Sequence, residues 1–324
     1  MSTKSELLKI LIKNKTTYLS GQGLASELNV SRNAIWKAVE QLRSSGYDIE
    51  SKPRVGYKIS GDIDIITADG IRQLLSAPYN IQVFETVDST NNVAKSIPLE
   101  STPAIIISNM QTAGRGRLGR DFYSPANSGI YMSIVFKPEF DLNKSMSITM
   151  ATAVAVCKAI EKVTQTHPKI KWVNDVFLND KKICGILTEG QTNFETGKID
   201  SLIVGIGVNC FTDDFPSELD GVAGSLSTDK VAFVRNVLAA EIVNQFFAIL
   251  PDMSTKQFLR EYRNHCFILG KSIMIHQNIN GKAIKGRAID IDDNGGLIVE
   301  YLEGSMYKQM ATLTTGEVSI RLER

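Results

Sequence analysis

Apolar residues in the first sixty positions recur at helical spacing. Leu7, Leu8, Leu11 and Ile12 share one face of a segment over residues 5–14. After a turn at 14–18, Ser20 is placed to cap a short helix through Leu24 and Leu28, because its hydroxyl can accept an N–H that the helix start leaves unpaired. Asn29-Val30 breaks that helix, and Ser31 caps a third that runs to about Ser45 and stops at Gly46. Within it Ile35, Val39 and Leu42 face inward, so Arg32, Asn33, Trp36 and Lys37 point away. Two extended runs follow at 48–51 and 57–60, joined by Lys52-Pro53-Arg54-Val55-Gly56. Residues 61–67 read as a short linker. Beyond it, strands are predicted at 81–87, 104–108, 129–136, 169–173, 183–189 and 201–208, with helices at 145–163, about 229–250 and 255–265. From Gly270 the pattern changes to short strands with tight turns such as Asp293-Asn294-Gly295-Gly296 and Glu303-Gly304, the pattern of a small β-barrel. There is no internal repeat.

Three short helices and a basic hairpin predict a winged helix-turn-helix over residues 1–62. Charge sharpens that reading. The whole chain of 324 residues carries a formal net charge of +1, which excludes a uniformly basic nucleic-acid binder. Residues 1–60, however, hold ten basic side chains against five acidic ones. A nucleic-acid contact confined to one end fits this asymmetry. The third helix would carry Arg32, Asn33, Trp36 and Lys37 into the major groove, where Arg and Asn can read base edges, and the hairpin would place Lys52 and Arg54 against phosphates. A helical subdomain whose charged face is merely solvated has the same periodicity.

A hydrophobic content of 43% with 22% charged residues belongs to a soluble globular protein with room for two or three cores. No apolar run reaches the ~18 residues needed to span a bilayer, and the N-terminus has no apolar signal core, so a cytoplasmic protein without membrane contact is expected. Cys157, Cys184, Cys210 and Cys266 form no C-x-x-C pair and read as reduced thiols, three of them in apolar surroundings. His167, His265 and His276 are far apart, which argues against a histidine metal site.

The chemistry concentrates in a few segments. Gly114 to Gly119 matches G-x-G-x-x-G, but Pro125 and Asn127-Ser128-Gly129 follow where a dinucleotide fingerprint should open a helix. A loop of alternating glycine and arginine suits a different task, folding over an anion with backbone N–H groups and guanidinium donors. A mobile solvent loop is the bland alternative. Lys171-Trp172-Val173-Asn174-Asp175 lies at a strand end, where Lys171 and Asp175 can converge on one ligand, with Lys182 supplied by the return strand. Asn-Asp pairs are also plain turn chemistry. Gly205 and Gly207 sit inside an apolar strand, which implies something packed on the backbone, or tight strand-to-strand packing.

Asp88-Ser89-Thr90-Asn91, Gly114-Arg115-Gly116-Arg117, Lys171-Trp172-x-Asn174-Asp175, Lys182-x-x-Gly185-Ile186-Leu187 and Gly205-x-Gly207-x-Asn209, in this order, resemble the biotin protein ligases. With the N-terminal module the chain is similar to the bifunctional ligases that also repress the biotin operon. The resemblance covers essentially the whole length, including Gly316-Glu317-Val318-Ser319-Ile320-Arg321. Val173 stands where the family usually has proline, and since both favour extended backbone the turn is expected to survive with slightly looser positioning.

The resemblance implies an α+β chain: the winged helix-turn-helix, a central mixed α/β catalytic domain (66–268) resembling class II aminoacyl-tRNA synthetases, and a C-terminal SH3-like β-barrel (269–324). It implies ATP-dependent biotinylation of a lysine on a biotin carboxyl carrier protein through biotinyl-5′-adenylate, with Mg2+. It also implies repression by an adenylate-bound homodimer on operator DNA. Residue by residue, Ser89, Thr90, Asn91, Gln111, Gly114, Gly116 and Gly185 would surround biotin. Arg115, Arg117 and Lys182 would face its carboxylate and the ATP α-phosphate, and Lys171 would join them. Arg120, Asn174 and Asn209 would serve the nucleotide, and Asp175 is the candidate base for the acceptor lysine. Three other readings share much of this pattern: a non-catalytic biotin sensor, a lipoate ligase, and a ligase whose N-terminal module represses nothing.

Overall fold

The computed structural model describes residues 3–14, 16–44, 47–60, 64–98, 102–138, 145–192, 199–229, 234–253, 255–276, 283–304, 306–314 and 317–320. The expected stop at Gly46, part of the 61–67 linker and the ends of the 316–321 motif lie outside them. The chain forms two compact units, residues 1–65 and 66–324.

In the first unit, helices α1 (Thr3–Lys13), α2 (Gly21–Glu27) and α3 (Arg32–Ser44) precede a hairpin of β1 (Ile49–Lys52) and β2 (Gly56–Ile59). Both expected caps are present: Ser20 Oγ accepts from Gly23 N at 2.9 Å and Ser31 Oγ from Ala34 N at 3.1 Å. Each such cap stabilises a helix start by about 1 kcal/mol. Leu7, Leu11, Leu24, Ile35, Val39, Leu42 and Ile59 close one core, while Leu8 is only partly buried against it. Gly56 adopts φ +136 and backs onto the chain at Leu19, where a Cβ would lie 2.0 Å from the Leu19 carbonyl oxygen. Only glycine fits that turn.

The second unit carries α4 (Ala68–Arg72), β3 (Asn80–Phe84), α5 (Thr90–Lys95), β4 (Ala104–Ser108), β5 (Gly129–Phe136), α6 (Ser145–Thr164), β6 (Lys169–Lys171), β7 (Asp175–Leu178), β8 (Lys181–Thr192), β9 (Ile199–Asn209), α7 (Arg235–Ile249) and α8 (Gln257–His265). Then follow β10 (Ser272–His276), β11 (Ile284–Ile291), β12 (Leu297–Tyr301), β13 (Met310–Leu313) and β14 (Glu317–Ile320). The short helices α4 and α5 were not legible as periodic segments, and α7 starts at Arg235, not near Asp229.

A seven-stranded sheet in the order β3-β4-β5-β9-β8-β7-β6 is the frame of this unit; β3 and β4 run parallel and the other neighbours antiparallel. The apolar run Ile105-Ile106-Ile107 does not alternate because both sheet faces are covered. Ile105 and Ile107 pack into the large core with α6 and α7, whereas Ile106, Val135 and Ile203 pack with Ala94 of α5. The C-terminal strands form a five-stranded antiparallel sheet, β13-β12-β11-β10-β14, whose Ile273, Ile275, Ala288, Ile291 and Leu297 belong to the same large core. The alignment across strands decides where chemistry can occur. Lys171, Asp175, Gly185, Gly207 and Tyr131 lie directly opposite one another in a row across β6, β7, β8, β9 and β5. Directly opposed residues share a face, so segments forty residues apart present side chains together.

All four cysteines are free and buried, one more than the sequence placed in apolar surroundings. Burial pushes the thiols of Cys157 and Cys184 up, and that of Cys266 to about 12, so these are packing groups and not nucleophiles.

Candidate functional site

Above the glycine row lies a cavity of about 390 Å³. Of the expected site residues, Ser89, Thr90, Asn91, Gln111, Arg115, Gly116, Arg117, Arg120, Lys171, Asn174, Asp175, Lys182, Gly185 and Asn209 all line it. Gly114 does not. Its part is structural: a Cβ there would come within 2.3 Å of the Phe122 carbonyl oxygen.

The Gly-Arg segment is a hairpin closed by backbone hydrogen bonds. Phe122 N–H donates to Gly114 O at 2.8 Å, Gly116 N–H donates to Arg120 O at 2.7 Å, and Leu118 turns the tip at φ 58. Phe122, which the sequence reading missed, drops from this hairpin onto the sheet. Its ring lies over Gly185 and Gly207, where a Cβ would approach it to 3.3 and 2.5 Å, and it packs edge-to-face with the Tyr131 ring, centroids 6.4 Å apart. Gly205 gives similar room to Asn91, whose Oδ1 would lie 2.4 Å from an added Cβ. The strand glycines therefore serve side chains that descend from above, as one of the two sequence readings had it.

One end of the cavity is built from amides and hydroxyls. Ser89 is the N-cap residue of α5, yet its side chain makes no capping bond. Gln111 caps the helix instead: its Oε1 accepts from the Thr90 N–H at 2.9 Å, while its Nε2 donates to Ser124 Oγ at 2.8 Å. Ser133 Oγ lies 2.7 Å from Thr90 Oγ1 and 2.6 Å from Asn91 Oδ1. Asp88, beside this group, is held below the usual carboxylate range by the Asn92 side-chain amide and the Ser89 backbone N–H.

The middle is cationic. Arg115, Arg117, Arg120, Lys171 and Lys182 face the cavity against two carboxylates, Asp121 and Asp175, among the described residues. Arg117 donates to Asn174 Oδ1 at 3.0 Å, and Asn174 Nδ2 donates to Ile186 O at 3.0 Å, so a chain of bonds runs from the hairpin to β8. Lys182 Nζ sits 2.7 Å from Asp175 Oδ1, close in distance though not aligned as a hydrogen bond. The turn that carries Asn174 and Asp175 is clamped from behind. Tyr262 OH donates to Val173 O at 3.1 Å and Trp172 Nε1 donates to Gly295 O at 3.0 Å. Val173 itself is buried. The Trp172–Val173 peptide is cis.

The far end is apolar, lined by Tyr123, Phe215, Leu219 and Val222. The last three come from a loop after β9 that the sequence reading also missed. Its one signal was apolar residues set in the polar run Thr212-Asp213-Asp214-Phe215-Pro216-Ser217-Glu218-Leu219. The loop is pinned to β8, with Lys182 N donating to Val222 O and Gly224 N to Lys182 O, each at 2.9 Å. Asn209 donates to Gly224 O at 3.1 Å, and its buried Oδ1 has no hydrogen-bond partner among the described residues.

In the first unit, Arg32, Asn33, Trp36 and Lys37 are exposed on α3, Trp36 to 52%, and Lys52 and Arg54 are exposed on the hairpin. Arg43 is different. Its guanidinium is spent on Ile49 O at 2.6 Å and Glu40 at 2.7 Å, fixing α3 to the hairpin. Among the described residues no group of three potential ligands could hold a metal ion, and no helix is long and apolar enough to cross a membrane.

Residues 3–58 match an HTH domain, 83–209 the biotin/lipoate A/B protein ligase family, and 268–321 the biotin protein ligase C terminal domain. A bifunctional ligase/repressor BirA from Bacillus spizizenii is 31% identical over 93% of this chain and 95% of its own length. Its counterpart in Escherichia coli is 28% identical over 93% and 92%. The structure of a biotin protein ligase from Aquifex aeolicus in complex with biotin and ATP is similar, with TM-score 0.59 and 27% identity, covering 75% of this chain and 98% of that one.

Proposed function

This chain belongs to the bifunctional ligase/repressor members of the biotin protein ligase family, and from that premise we propose the following division of work. The chain uses ATP to attach biotin to a lysine of a biotin carboxyl carrier protein through biotinyl-5′-adenylate, and represses biotin genes through its helix-turn-helix. The observation that carries the reading is that one cavity gathers three kinds of surface: hydroxyls and amides, cations, and apolar side chains.

Ser89, Thr90, Asn91 and Gln111 suit a neutral ureido ring, with Phe122 and the glycines Gly116 and Gly185 against the rest of biotin. The carboxylate must then approach the α-phosphate, two anions meeting, while charge grows on the phosphoryl oxygens. Arg115, Arg117, Lys171 and Lys182 are preorganised there and need not reorient as charge develops. Arg120, Asn174 and the unpartnered Asn209 Oδ1 serve the nucleotide, with its base against Phe215, Leu219 and Val222. Asp121 and Asp175 are the cavity carboxylates, among the described residues, that would hold magnesium, which would neutralise phosphate charge. Asp175 also serves as base toward the acceptor lysine. Asp175→Ala that slows adenylate formation yet leaves transfer from preformed adenylate intact excludes that role.

We assign residues 1–62 to operator binding, 66–268 to catalysis and 269–324 to the C-terminal sheet domain. The protein works in the cytoplasm and binds DNA as an adenylate-bound homodimer. The deciding experiment is transfer of labelled biotin to a carrier domain, with lipoate as competitor. Covalent labelling that needs ATP and magnesium is expected. Biotin bound but not transferred would mark a sensor, and transfer of lipoate in preference would mark a lipoate ligase.

A further inference from the structure

We propose that Glu189 is a positioning residue of this site, one carboxylate that fixes Asn91 on helix α5 and Arg115 on the Gly-Arg hairpin at the same time. The inference rests on the ligase reading above for what those two residues contact.

Glu189 follows Gly185 and Leu187 at alternate positions of β8, so it continues their face of the sheet just beyond the cavity. Its Oε2 accepts from Asn91 Nδ2 at 2.7 Å, its Oε1 from Lys95 Nζ at 2.9 Å, and Arg115 Nη1 lies 3.5 Å from Oε1. The same Arg115 nitrogen donates to Asn92 Oδ1 at 3.2 Å. Asn91 is therefore gripped at both ends of its carboxamide, with Ser133 on the other side and the bare backbone of Gly205 beneath. Burial alone would raise the Glu189 carboxyl, but hydrogen bonds from Lys95 and Asn91 outweigh it and hold the group below its ordinary 4.5. It is a carboxylate wherever the ligase works.

Arg115 gains most from this arrangement. Its side chain is 46% exposed and long, so without an anchor the guanidinium would spread over many rotamers. A half-exposed ion pair is weak by itself, but Glu189 acts on two side chains from different elements of the cavity wall and tethers the hairpin to the sheet. Charge is the property that matters, which separates this role from simple packing.

The test uses Glu189→Gln in the full chain, a change that keeps shape and an acceptor for Asn91 but removes the charge. Adenylate formation should show a KM for biotin raised about tenfold with kcat changed far less, the pattern of lost ground-state positioning. The double variant with Arg115→Ala should cost clearly less than the product of the two single effects, because part of the effect of the charge acts through that arginine and part through Lys95. Without any ligand, proteinase K should cut the 114–122 hairpin several-fold faster in Glu189→Gln at an unchanged melting temperature. Wild-type KM and cleavage, or effects that multiply in the double variant, would overturn the proposal. An inactive wild type would instead refute the ligase reading, and the cleavage rates would still decide Glu189. Should Glu189→Gln not fold, Arg115→Gln breaks the pair from the exposed side and gives the same cleavage test.

Discussion

The two units present their functional groups in opposite ways. On α3 the side chains offered to a partner are those its own core rejects: Ile35, Val39 and Leu42 are buried, and Arg32, Asn33, Trp36 and Lys37 are what remains outside. In the second unit the offered groups converge inward from α5, the Gly-Arg hairpin, the 172–175 turn, β8, β9 and the loop after β9. On such an exposed face, loss of a single contact is expected to weaken binding by a limited amount. In a cavity whose cations share one developing charge the loss is larger, because the groups act together and their effects are far from additive.

That contrast can be broken at several points. Removal of residues 1–65 should abolish operator binding while leaving ATP-dependent biotin transfer nearly intact, as gel shift and labelling assays on the same preparation would show. Retained DNA binding would move the interface elsewhere. Lys182→Ala should lower adenylate formation by about 10²–10³-fold, the usual cost of one preorganised charge-stabilising group. It should leave the DNA affinity of the N-terminal unit unchanged. Gly207→Ala puts a methyl 2.5 Å from the Phe122 ring. The ring must lift, so biotin affinity measured by calorimetry should fall about tenfold while the fold survives, because the clash is with a side chain and not with backbone. Lys52→Ala should weaken operator binding only a few-fold and equally for all sequences. It should also reduce the slope of log K against log salt by about one, as expected for a single phosphate contact. A sequence-selective loss would make Lys52 a base reader.

Much of this protein can be read from its residues in order. The helices of the first unit and their outward faces follow from local spacing and capping, which are decided within a turn or two of chain. The central strands are legible for the same reason: runs such as Ile105-Ile106-Ile107 carry their own preference for extended backbone and burial. The candidate cavity residues were also legible, although through resemblance and not through periodicity. What the sequence could not reveal is how committed each of them is. Gln111 spends its amide on capping α5, Asn91 is gripped by Ser133 and Glu189, and Lys182 sits against Asp175. Phe122, Glu189 and the Phe215–Val222 loop gained their places only when register set Asp175, Gly185, Gly207 and Tyr131 in one row. Register is a property of long-range pairing between strands, and a chain read one residue at a time contains no distance across a sheet.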